Sequence, residues 1–266
     1  MNAYLRVTWR LPWLLSGFFA CAFTVLVISP LDLFAPALRL RLRNRALTAW
    51  GRSFCATLGI EVTATGTPPR GDFILVANHV SYVDIPLLAS LVEAAFVAKT
   101  ELAGWPLLGR AFQIGDTIFI DRARKRDLLR VMERVHKCLE RGLGVAIFPE
   151  GTSGRGEKIL PLKASLLELA VRQQEPVHYA TLSYKTHRGA PATDRLVCWW
   201  DDTPFLTHLL RLLAHPGFEA TVDFGARPIV GENRKQLADR LQRAMQQSFV
   251  PMADPGAAAT ESGSSS

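Results

Sequence analysis

The sequence predicts an α/β fold, in which a mixed central sheet flanked by helices forms a single domain after an N-terminal membrane-associated helix. Short apolar runs alternate along most of the chain with segments of helical periodicity, which favours this class. An uncharged run, residues 11–31, precedes them. With 266 residues, 48% of them hydrophobic, the chain can form one sizeable core with an appendage.

The uncharged run is long enough to cross a bilayer core of roughly 30 Å. Trp9 and Trp13 lie at one edge of it, as interfacial aromatic residues do. Pro12 and Pro30 lie near its ends and also fit a re-entrant or interfacial helix. Both arrangements therefore stay open at this point.

Arginines are concentrated after the apolar run, at five positions between residues 39 and 52. This bias predicts that the bulk of the protein faces the cytoplasm, with a bacterial inner membrane as the expected location. Residues 37–58 predict a basic amphipathic helix on anionic lipid, the alternative being an ordinary solvated helix. Residues 1–58 are thus expected to form the membrane anchor and its basic helix.

The region 59–250 is expected to form the α/β domain itself, and 251–266 a disordered tail. The predicted strands of region 59–250 are Ile60–Thr65, Phe73–Ala77, Ala95–Ala98, Thr117–Ile120, Val145–Phe148, Val177–Tyr184, Arg195–Trp200 and Glu219–Phe224. Its predicted helices are Ile85–Leu91, Lys125–Arg141, Lys163–Val171, Phe205–Leu213 and Asn233–Phe249. Residues 103–109 are expected to form an apolar loop or short helix.

Charge and cysteine content narrow the function. A net charge of +7 fits nucleic acid, an anionic membrane or an anionic substrate. No lysine tract and no aromatic-interleaved RNA signature is present, so no nucleic-acid partner is expected. The four cysteines are far apart, without a CxxC or Cys/His cluster, which predicts reduced apolar residues and no metal site.

Residues 78–84 (NHVSYVD) follow the apolar strand 73–77 and carry the first candidate chemistry. An imidazole such as that of His79 can take a proton from a hydroxyl if a carboxylate such as Asp84 holds its other nitrogen. The alternative is a structural histidine with an aspartate that caps a helix.

Two further polar motifs follow strands, and a lysine turn comes after them. Asp121 and Arg122 follow the strand 117–120, residues 149–154 (PEGTSG) follow 145–148, and Lys163 lies in the turn 160–163. Strand ends of an α/β sheet converge on a ligand crevice. We therefore expect these motifs to meet residues 78–84 at one edge of the sheet.

Together these motifs resemble the glycerolipid acyltransferase family, which includes the 1-acylglycerol-3-phosphate acyltransferases. Residues 78–84 match its NHxxxxD motif, 118–122 (IFIDR) its second block and 148–152 (FPEGT) its third. The stretch 96–99 and the glycine after 105–108 are also similar. The resemblance covers roughly residues 60 to 185.

The resemblance implies that His79 is a general base for the acceptor hydroxyl, which attacks an acyl thioester directly, and that Asp84 orients the imidazole. Arg122 would bind the anionic head of the acceptor. The remaining implied substrate contacts are Glu150, Gly151 and Thr152 in the acceptor pocket, with Asn78 and, as secondary anion contacts, Lys99 and Lys163. The implied partners are acyl-CoA or acyl carrier protein, a lysolipid and the membrane, without a cofactor.

The acceptor predicted first is 1-acyl-sn-glycerol-3-phosphate, giving phosphatidic acid. Departures from the family pattern resemble the lyso-ornithine lipid acyltransferase branch instead. The arginine that many family members have directly after the residue matching Thr152 is here at position 155, and residues 159–166 and 199–202 also differ.

Two rival functions remain. A serine hydrolase would use Ser153, although its motif ends in arginine where G-x-S-x-G needs glycine. A non-catalytic protein would only bind the membrane surface.

Overall fold

The computed structural model describes residues 2–100, 104, 116–121 and 125–253. Its strands are β1 Ile60–Thr65, β2 Ile74–Ala77, β3 Ala94–Lys99, β4 Ile118–Ile120, β5 Gly144–Ile147, β6 Val177–Thr186 and β7 Phe218–Phe224. They form one sheet in the order β1-β7-β6-β2-β5-β3-β4. Neighbours are parallel except β6 and β7, which are antiparallel, so the predicted mixed sheet is confirmed.

Helices cover the sheet, as predicted. They are α1 Ala3–Ile28, α2 Pro36–Leu58, α3 Asp84–Ala89, α4 Lys125–Glu140, α5 Glu168–Arg172, α6 Thr193–Leu196, α7 Phe205–Ala214 and α8 Arg234–Ser248. Short 3₁₀ turns cover Ser29–Leu33 and Ala164–Leu167. The Asn233 side chain caps α8 by accepting the main-chain N–H of Gln236, which satisfies one free donor of that helix end.

The central strands β2 and β5 are buried along their whole length, because helices cover both faces of a parallel sheet. Ile74 pairs with Val145 in their register, and Gly144 lies against the ring of Phe73, where a Cβ would come within 2.3 Å of the ring. β2, β3, β4 and β5 all run parallel. Their carboxyl ends therefore open at one edge, as the sequence predicted.

The strand predicted at Arg195–Trp200 is wrong. Residues 193–196 form α6, and the chain after it contacts the loop that follows β2 instead of joining the sheet. The main-chain N–H of Trp199 donates to the carbonyl of Val80 at 2.8 Å. The β-forming side chains there pack into an aromatic cluster, and tertiary packing decides the backbone conformation.

The N-terminal segment folds as a helical hairpin in which α1 packs against α2. α1 is long and apolar enough to cross a membrane, by length and composition, and most of its surface is exposed. Near its start, Arg6 and Arg10 donate to the carbonyls of Ala214 and Pro216 at 2.9 and 3.0 Å. These arginines satisfy carbonyls that the end of α7 leaves free.

The far end of α1 is also held on the globular part of the chain. Asp32 accepts a hydrogen bond from Arg141, which follows α4, at 2.5 Å. A helix of 26 residues is about 39 Å long at ~1.5 Å per residue. The chain is therefore attached to the same domain near the start of α1, through Arg6 and Arg10, and just after its end, through Asp32.

The predicted basic helix at 37–58 exists as α2, but two of its arginines do not face a lipid surface. Arg43 is only 1% exposed, and Arg39 is also buried. Each guanidinium lies 3.2 Å from a carboxylate oxygen of Asp116, and Arg43 also donates to the carbonyl of Ala94. The lipid-facing prediction is therefore wrong for these two. The exposed arginines of α2 are Arg41, Arg45 and Arg52.

Asp116→Asn is expected to lower the free energy of unfolding by about 3 kcal/mol, because it removes the nearest carboxylate from two buried guanidinium groups. Asp116 has φ +60°, a conformation that asparagine also tolerates, so the change tests the charge alone. Glu133→Gln is the control, because that carboxylate pairs with Lys137 on the exposed face of α4 and its loss should leave the free energy of unfolding nearly unchanged. Denaturant unfolding measures both, and equal losses would contradict the burial argument.

Two predicted segments lie wholly or partly outside the described residues. These are the apolar loop at 103–109, of which only Gly104 is described, and the tail, which is described only to residue 253.

Candidate active site

His79 and Asp84 form a hydrogen-bonded pair just beyond the end of β2. The Nδ1 atom of His79 lies 2.7 Å from the Oδ2 atom of Asp84. Because an ionised carboxylate can only accept, this geometry assigns a proton to Nδ1, and Nε2 is the nitrogen that can act as a base when the ring is neutral. The imidazole is 22% exposed and stacks on Phe148 with ring centroids 4.5 Å apart. The imidazole is thus oriented by its two neighbours and still partly open to solvent.

Asp84 organises the loop that carries the histidine. Its carboxylate is completely buried and accepts the main-chain N–H groups of Val80 and Ser81 at 2.8 and 3.0 Å. The hydroxyl of Tyr184 donates to its other oxygen at 2.6 Å. An N-cap would instead accept from the N–H groups of the following helix turn. The carboxylate therefore closes the loop before α3 rather than capping the helix.

The loop after β5 is tied to the same histidine. The Oε1 atom of Glu150 accepts the main-chain N–H of His79 at 3.1 Å, and the N–H of Gly154 donates to the carbonyl of His79 at 2.9 Å. β2 and β5 are adjacent and parallel, so their loops meet. The structure thus brings together the first and third predicted motifs.

Burial sets the charge of Glu150, which is only 4% exposed. Desolvation raises the pKa of the Glu150 carboxyl to about 8, although hydrogen bonds from main-chain groups of His79 and Leu160 oppose this, and the Asp84 charge adds to it. At neutral pH the carboxyl is mostly protonated. Glu150 therefore shapes the site without placing a second full negative charge beside Asp84.

Glu150→Gln is expected to flatten the pH dependence of stability between about pH 5 and 8. An unfolded glutamate titrates near 4.5, whereas the folded carboxyl titrates near 8. The folded state therefore binds the extra proton in this window, and wild-type stability falls as the pH rises. Denaturant unfolding at several pH values measures the slope. Glu61→Gln, on the exposed face of β1, is the control and should leave the slope unchanged.

The other predicted contacts in the third motif lie at this edge in different settings. Gly151 is buried with φ +78°, a conformation that favours glycine, and Thr152 beside it is exposed. Lys163 is exposed, and its main-chain N–H donates to the carbonyl of Pro149 at 2.8 Å. Its turn is therefore fixed against the third loop.

Lys99 and the second motif approach the same edge from two neighbouring strands. Lys99 is the last residue of β3 and pairs with Ile120 of β4. Arg122 lies outside the described residues. The strand that precedes it is held by the start of α4, since Asp127 accepts the N–H of Asp121 at 2.5 Å and Arg130 donates to the carbonyl of Phe119 at 3.0 Å.

Asn78 has a framework role in the described structure. Its side chain is buried, and both ends of the amide pair with the main chain of Leu182, at 2.9 Å to the carbonyl and 2.7 Å from the N–H. This pairing ties the start of the loop 78–84 to β6. Each end of the amide therefore has a main-chain partner without a substrate.

Tyr184 and Trp199 are components of the site that the sequence did not single out as such. Tyr184 contacts Asp84, and Trp199 bridges two loops: its N–H donates to Val80, and its carbonyl accepts the hydroxyl of Ser153. Neither residue lies in a motif with recognisable spacing. Only the buried position of Tyr184 on β6 and the aromatic cluster around Trp199 mark them, and both require the fold.

Arg155 is held away from free solvent by acidic partners. Its Nε donates to Asp194 at 2.8 Å, Nη1 lies 3.4 Å from Glu157, and the guanidinium stacks 5.1 Å from the ring centroid of Trp200. The arginine that follows the third motif is therefore compensated by two carboxylates. Among the described residues, no group of three or more metal-ligating side chains is present.

The fold and the site define the class of protein. A family model described as acyltransferase matches residues 59–184, and the chain belongs to this family. Over 217 residues it is 34% identical to a lyso-ornithine lipid O-acyltransferase of Pseudomonas aeruginosa, covering 80% of this chain and 82% of that relative. The protein is thus an acyltransferase enzyme, as the motifs predicted.

Two further relatives extend the comparison. A 1-acyl-sn-glycerol-3-phosphate acyltransferase of Neisseria gonorrhoeae is 31% identical over 216 residues, covering 80% of this chain and 84% of that protein. The crystal structure of the 1-acyl-sn-glycerophosphate acyltransferase PlsC from Thermotoga maritima superposes with a TM-score of 0.61. It covers 94% of this chain and 100% of its own at 22% identity, which shows the shared fold.

Proposed function

We propose that this protein transfers a fatty acyl group from a thioester donor to the free hydroxyl of a lysolipid. The observation that carries the proposal is the His79–Asp84 pair, whose geometry leaves a basic nitrogen at the carboxyl edge of the sheet. Both curated relatives described above are named for O-acyl transfer to a lipid acceptor, which supports this substrate class.

In the proposed mechanism, His79 Nε2 removes the proton of the acceptor hydroxyl as its oxygen attacks the thioester carbonyl. The carbon–sulfur bond then breaks, and the imidazolium returns the proton to the leaving thiolate. Asp84 holds the Nδ1–H and stabilises the positive charge that forms on the ring. General-base catalysis of this kind typically contributes about 10²–10⁴-fold.

Two acceptors are compared within this class. 1-Acyl-sn-glycerol-3-phosphate is the first, with phosphatidic acid as product, and acyl-CoA or acyl carrier protein is the donor. Lyso-ornithine lipid is the second, and the pairing of Arg155 with Asp194 and Glu157 favours it, because a phosphate would have to displace two carboxylates to use that cation.

An acceptor screen with purified protein and labelled donor tests the proposal. It compares both lipids with other lysophospholipids, using acyl-CoA and acyl carrier protein in parallel. Acylated product from at least one lysolipid is expected. Labelled free fatty acid as the sole product would favour the hydrolase rival, and lipid binding without thioester turnover would favour a membrane-binding protein.

The hydrolase rival is opposed by the position of Ser153. Its hydroxyl donates to the carbonyl of Trp199, and the described contacts of the His79 ring are with Asp84 and Phe148. A serine nucleophile needs a hydrogen bond from its hydroxyl to the base. Ser153 is instead a bridge between the third loop and the segment after α6.

The same proposal places the protein on the membrane with α1 lying in one leaflet. The attachments of Arg10, in the first part of α1, and of Asp32, in the turn after it, keep the helix on the domain, which a helix crossing the bilayer away from the domain would not allow. Large apolar side chains on its surface would enter the lipid: Trp13, Phe19, Phe23, Leu26 and Val27 are exposed. Exposed Arg41, Arg45 and Arg52 favour the anionic cytoplasmic leaflet.

Arg122→Ala is expected to raise the KM for the acceptor at least about tenfold while leaving the donor KM within about twofold, since a charge-assisted bidentate contact is worth ~1.5–3 kcal/mol. The motif match supports this role for Arg122. Initial rates with each substrate varied in turn measure the two constants. A change confined to the donor KM would show that Arg122 does not bind the acceptor head.

A further inference from the structure

The hydroxyl of Tyr184 makes a contact with the catalytic pair that the mechanism above does not use. It donates to Oδ1 of Asp84 at 2.6 Å, whereas His79 and the main chain of the loop occupy Oδ2. The two oxygens of the Asp84 carboxylate thus have different partners. One holds the imidazole, and the other is held by the sheet.

The fold places Tyr184 there through Asn78. The Asn78 amide pairs with both main-chain groups of Leu182 and so fixes the register between β6 and the catalytic loop. Side chains two residues apart on a strand lie on the same face. Tyr184 therefore follows Leu182 on the face that meets Asp84, and it contacts the ring of Phe218 edge to face.

We propose that Tyr184 is a positioning residue, which locks the rotation of the Asp84 carboxylate and shares its negative charge. The inference rests on the proposed roles of His79 and Asp84. Without the hydroxyl, the carboxylate is held only through Oδ2, and its plane can tilt about the Cβ–Cγ bond and weaken the alignment with Nδ1. The imidazole would then populate orientations in which Nε2 misses the acceptor, which lowers kcat without weakening substrate binding.

Tyr184 acts only as a donor in this arrangement. It is buried, and desolvation, together with the nearby Asp84 charge, raises the pKa of its hydroxyl well above the usual value, so the proton stays on the oxygen. The other titratable groups that face the pair are Glu150 and the thiols of Cys55 and Cys198. Burial raises the pKa of both thiols, which keeps them neutral.

Tyr184→Phe tests the proposal, with Thr181→Val as the matched control. Thr181 lies on the same strand and is also buried, but its hydroxyl bonds to the carbonyl of Met245 and to Ser248, away from the pair. We expect Tyr184→Phe to lower kcat about tenfold, the equivalent of ~1.4 kcal/mol, with both KM values within about twofold. Thr181→Val should leave kcat within about twofold. Thermal midpoints are measured for each variant.

The pH profile and a double mutant separate positioning from general destabilisation. In Tyr184→Phe the carboxylate faces the imidazole with its full charge, so the acid limb of kcat/KM should move to higher pH. In an Asp84→Asn background, Tyr184→Phe should change kcat less than about twofold, because no charged carboxylate remains to align.

A tenfold loss that is equal in both backgrounds, or a kcat that falls only in proportion to stability as in the control, would overturn the proposal. The failure of the broader function is a different result. Full activity of a His79 variant would refute the role of His79 as the general base. If instead the His79 variant is inactive and Tyr184→Phe has wild-type kcat, only the positioning role of Tyr184 is refuted.

Discussion

His79→Ala is expected to lower kcat for lysolipid-dependent acyl transfer by about 10²–10⁴-fold, because the hydroxyl loses its general base. The fold should persist, since the imidazole is partly exposed and the main-chain bonds of residue 79 to Glu150 and Gly154 do not need the side chain. Initial rates with labelled donor measure the effect, and a thermal melt checks folding.

Two controls accompany this variant. Ser153→Ala removes the serine of the hydrolase rival, and His136→Ala removes an exposed histidine on α4. Both should retain kcat within a few-fold. Full activity in His79→Ala, with a large loss in Ser153→Ala, would indicate that Ser153 is the essential residue and would contradict the proposed mechanism.

Asp84→Asn is expected to lower kcat by about 10²–10⁴-fold and also to destabilise the protein. The amide cannot stabilise an imidazolium, and it favours the wrong tautomer if its NH₂ group faces Nδ1. Three other donors also lose an ionised acceptor: the N–H groups of Val80 and Ser81 and the hydroxyl of Tyr184. A loss of about 1–3 kcal/mol in unfolding free energy should follow.

The two losses have to be measured on the same preparation, by kinetics and by denaturant unfolding. If Asp84 only closed its loop, the unfolding free energy would fall and kcat per folded molecule would stay close to that of the wild type. That result would leave His79 without an orienting partner and would refute the proposed pair.

Much of the fold could be predicted from the sequence because its central strands are buried on both faces. Residues 74–77 and 144–147 are continuous apolar runs, which identify parallel core strands without knowledge of their neighbours. The amphipathic helices α4 and α8 were predicted nearly to their ends for the same reason, since their apolar periodicity reflects one buried face.

What the sequence could not show depends on contacts between distant residues. The sequence predicts lipid-facing positions for Arg39 and Arg43 because their carboxylate partner, Asp116, is more than seventy residues away and does not enter the local pattern. The segment around Trp199 is predicted to be a strand because its side chains favour strands. In the structure its main chain instead forms a hydrogen bond with the loop that follows β2. Neither of these long-range contacts can be predicted from the local sequence pattern.

The candidate site divides in the same way. His79, Asp84 and Glu150 lie in motifs whose spacing follows the strand ends, so their convergence could be predicted. Tyr184 comes from a strand a hundred residues later and has no motif of its own. The catalytic roles of His79 and Asp84 and the division of the chain into anchor, domain and tail stay predictions. So do all the predicted substrate roles, which are those of Asn78, Lys99, Arg122, Glu150, Gly151, Thr152 and Lys163.

The most direct test of the central claim is thiol release from the acyl donor by the purified wild-type protein, with and without lysolipid, with both lipid and protein masses recorded. The mechanism predicts release only when lysolipid is present, one acylated lipid per thiol, and an unchanged protein mass. Thiol release at the same rate without lysolipid, or an acylated protein that accumulates in its absence, would contradict direct transfer assisted by His79.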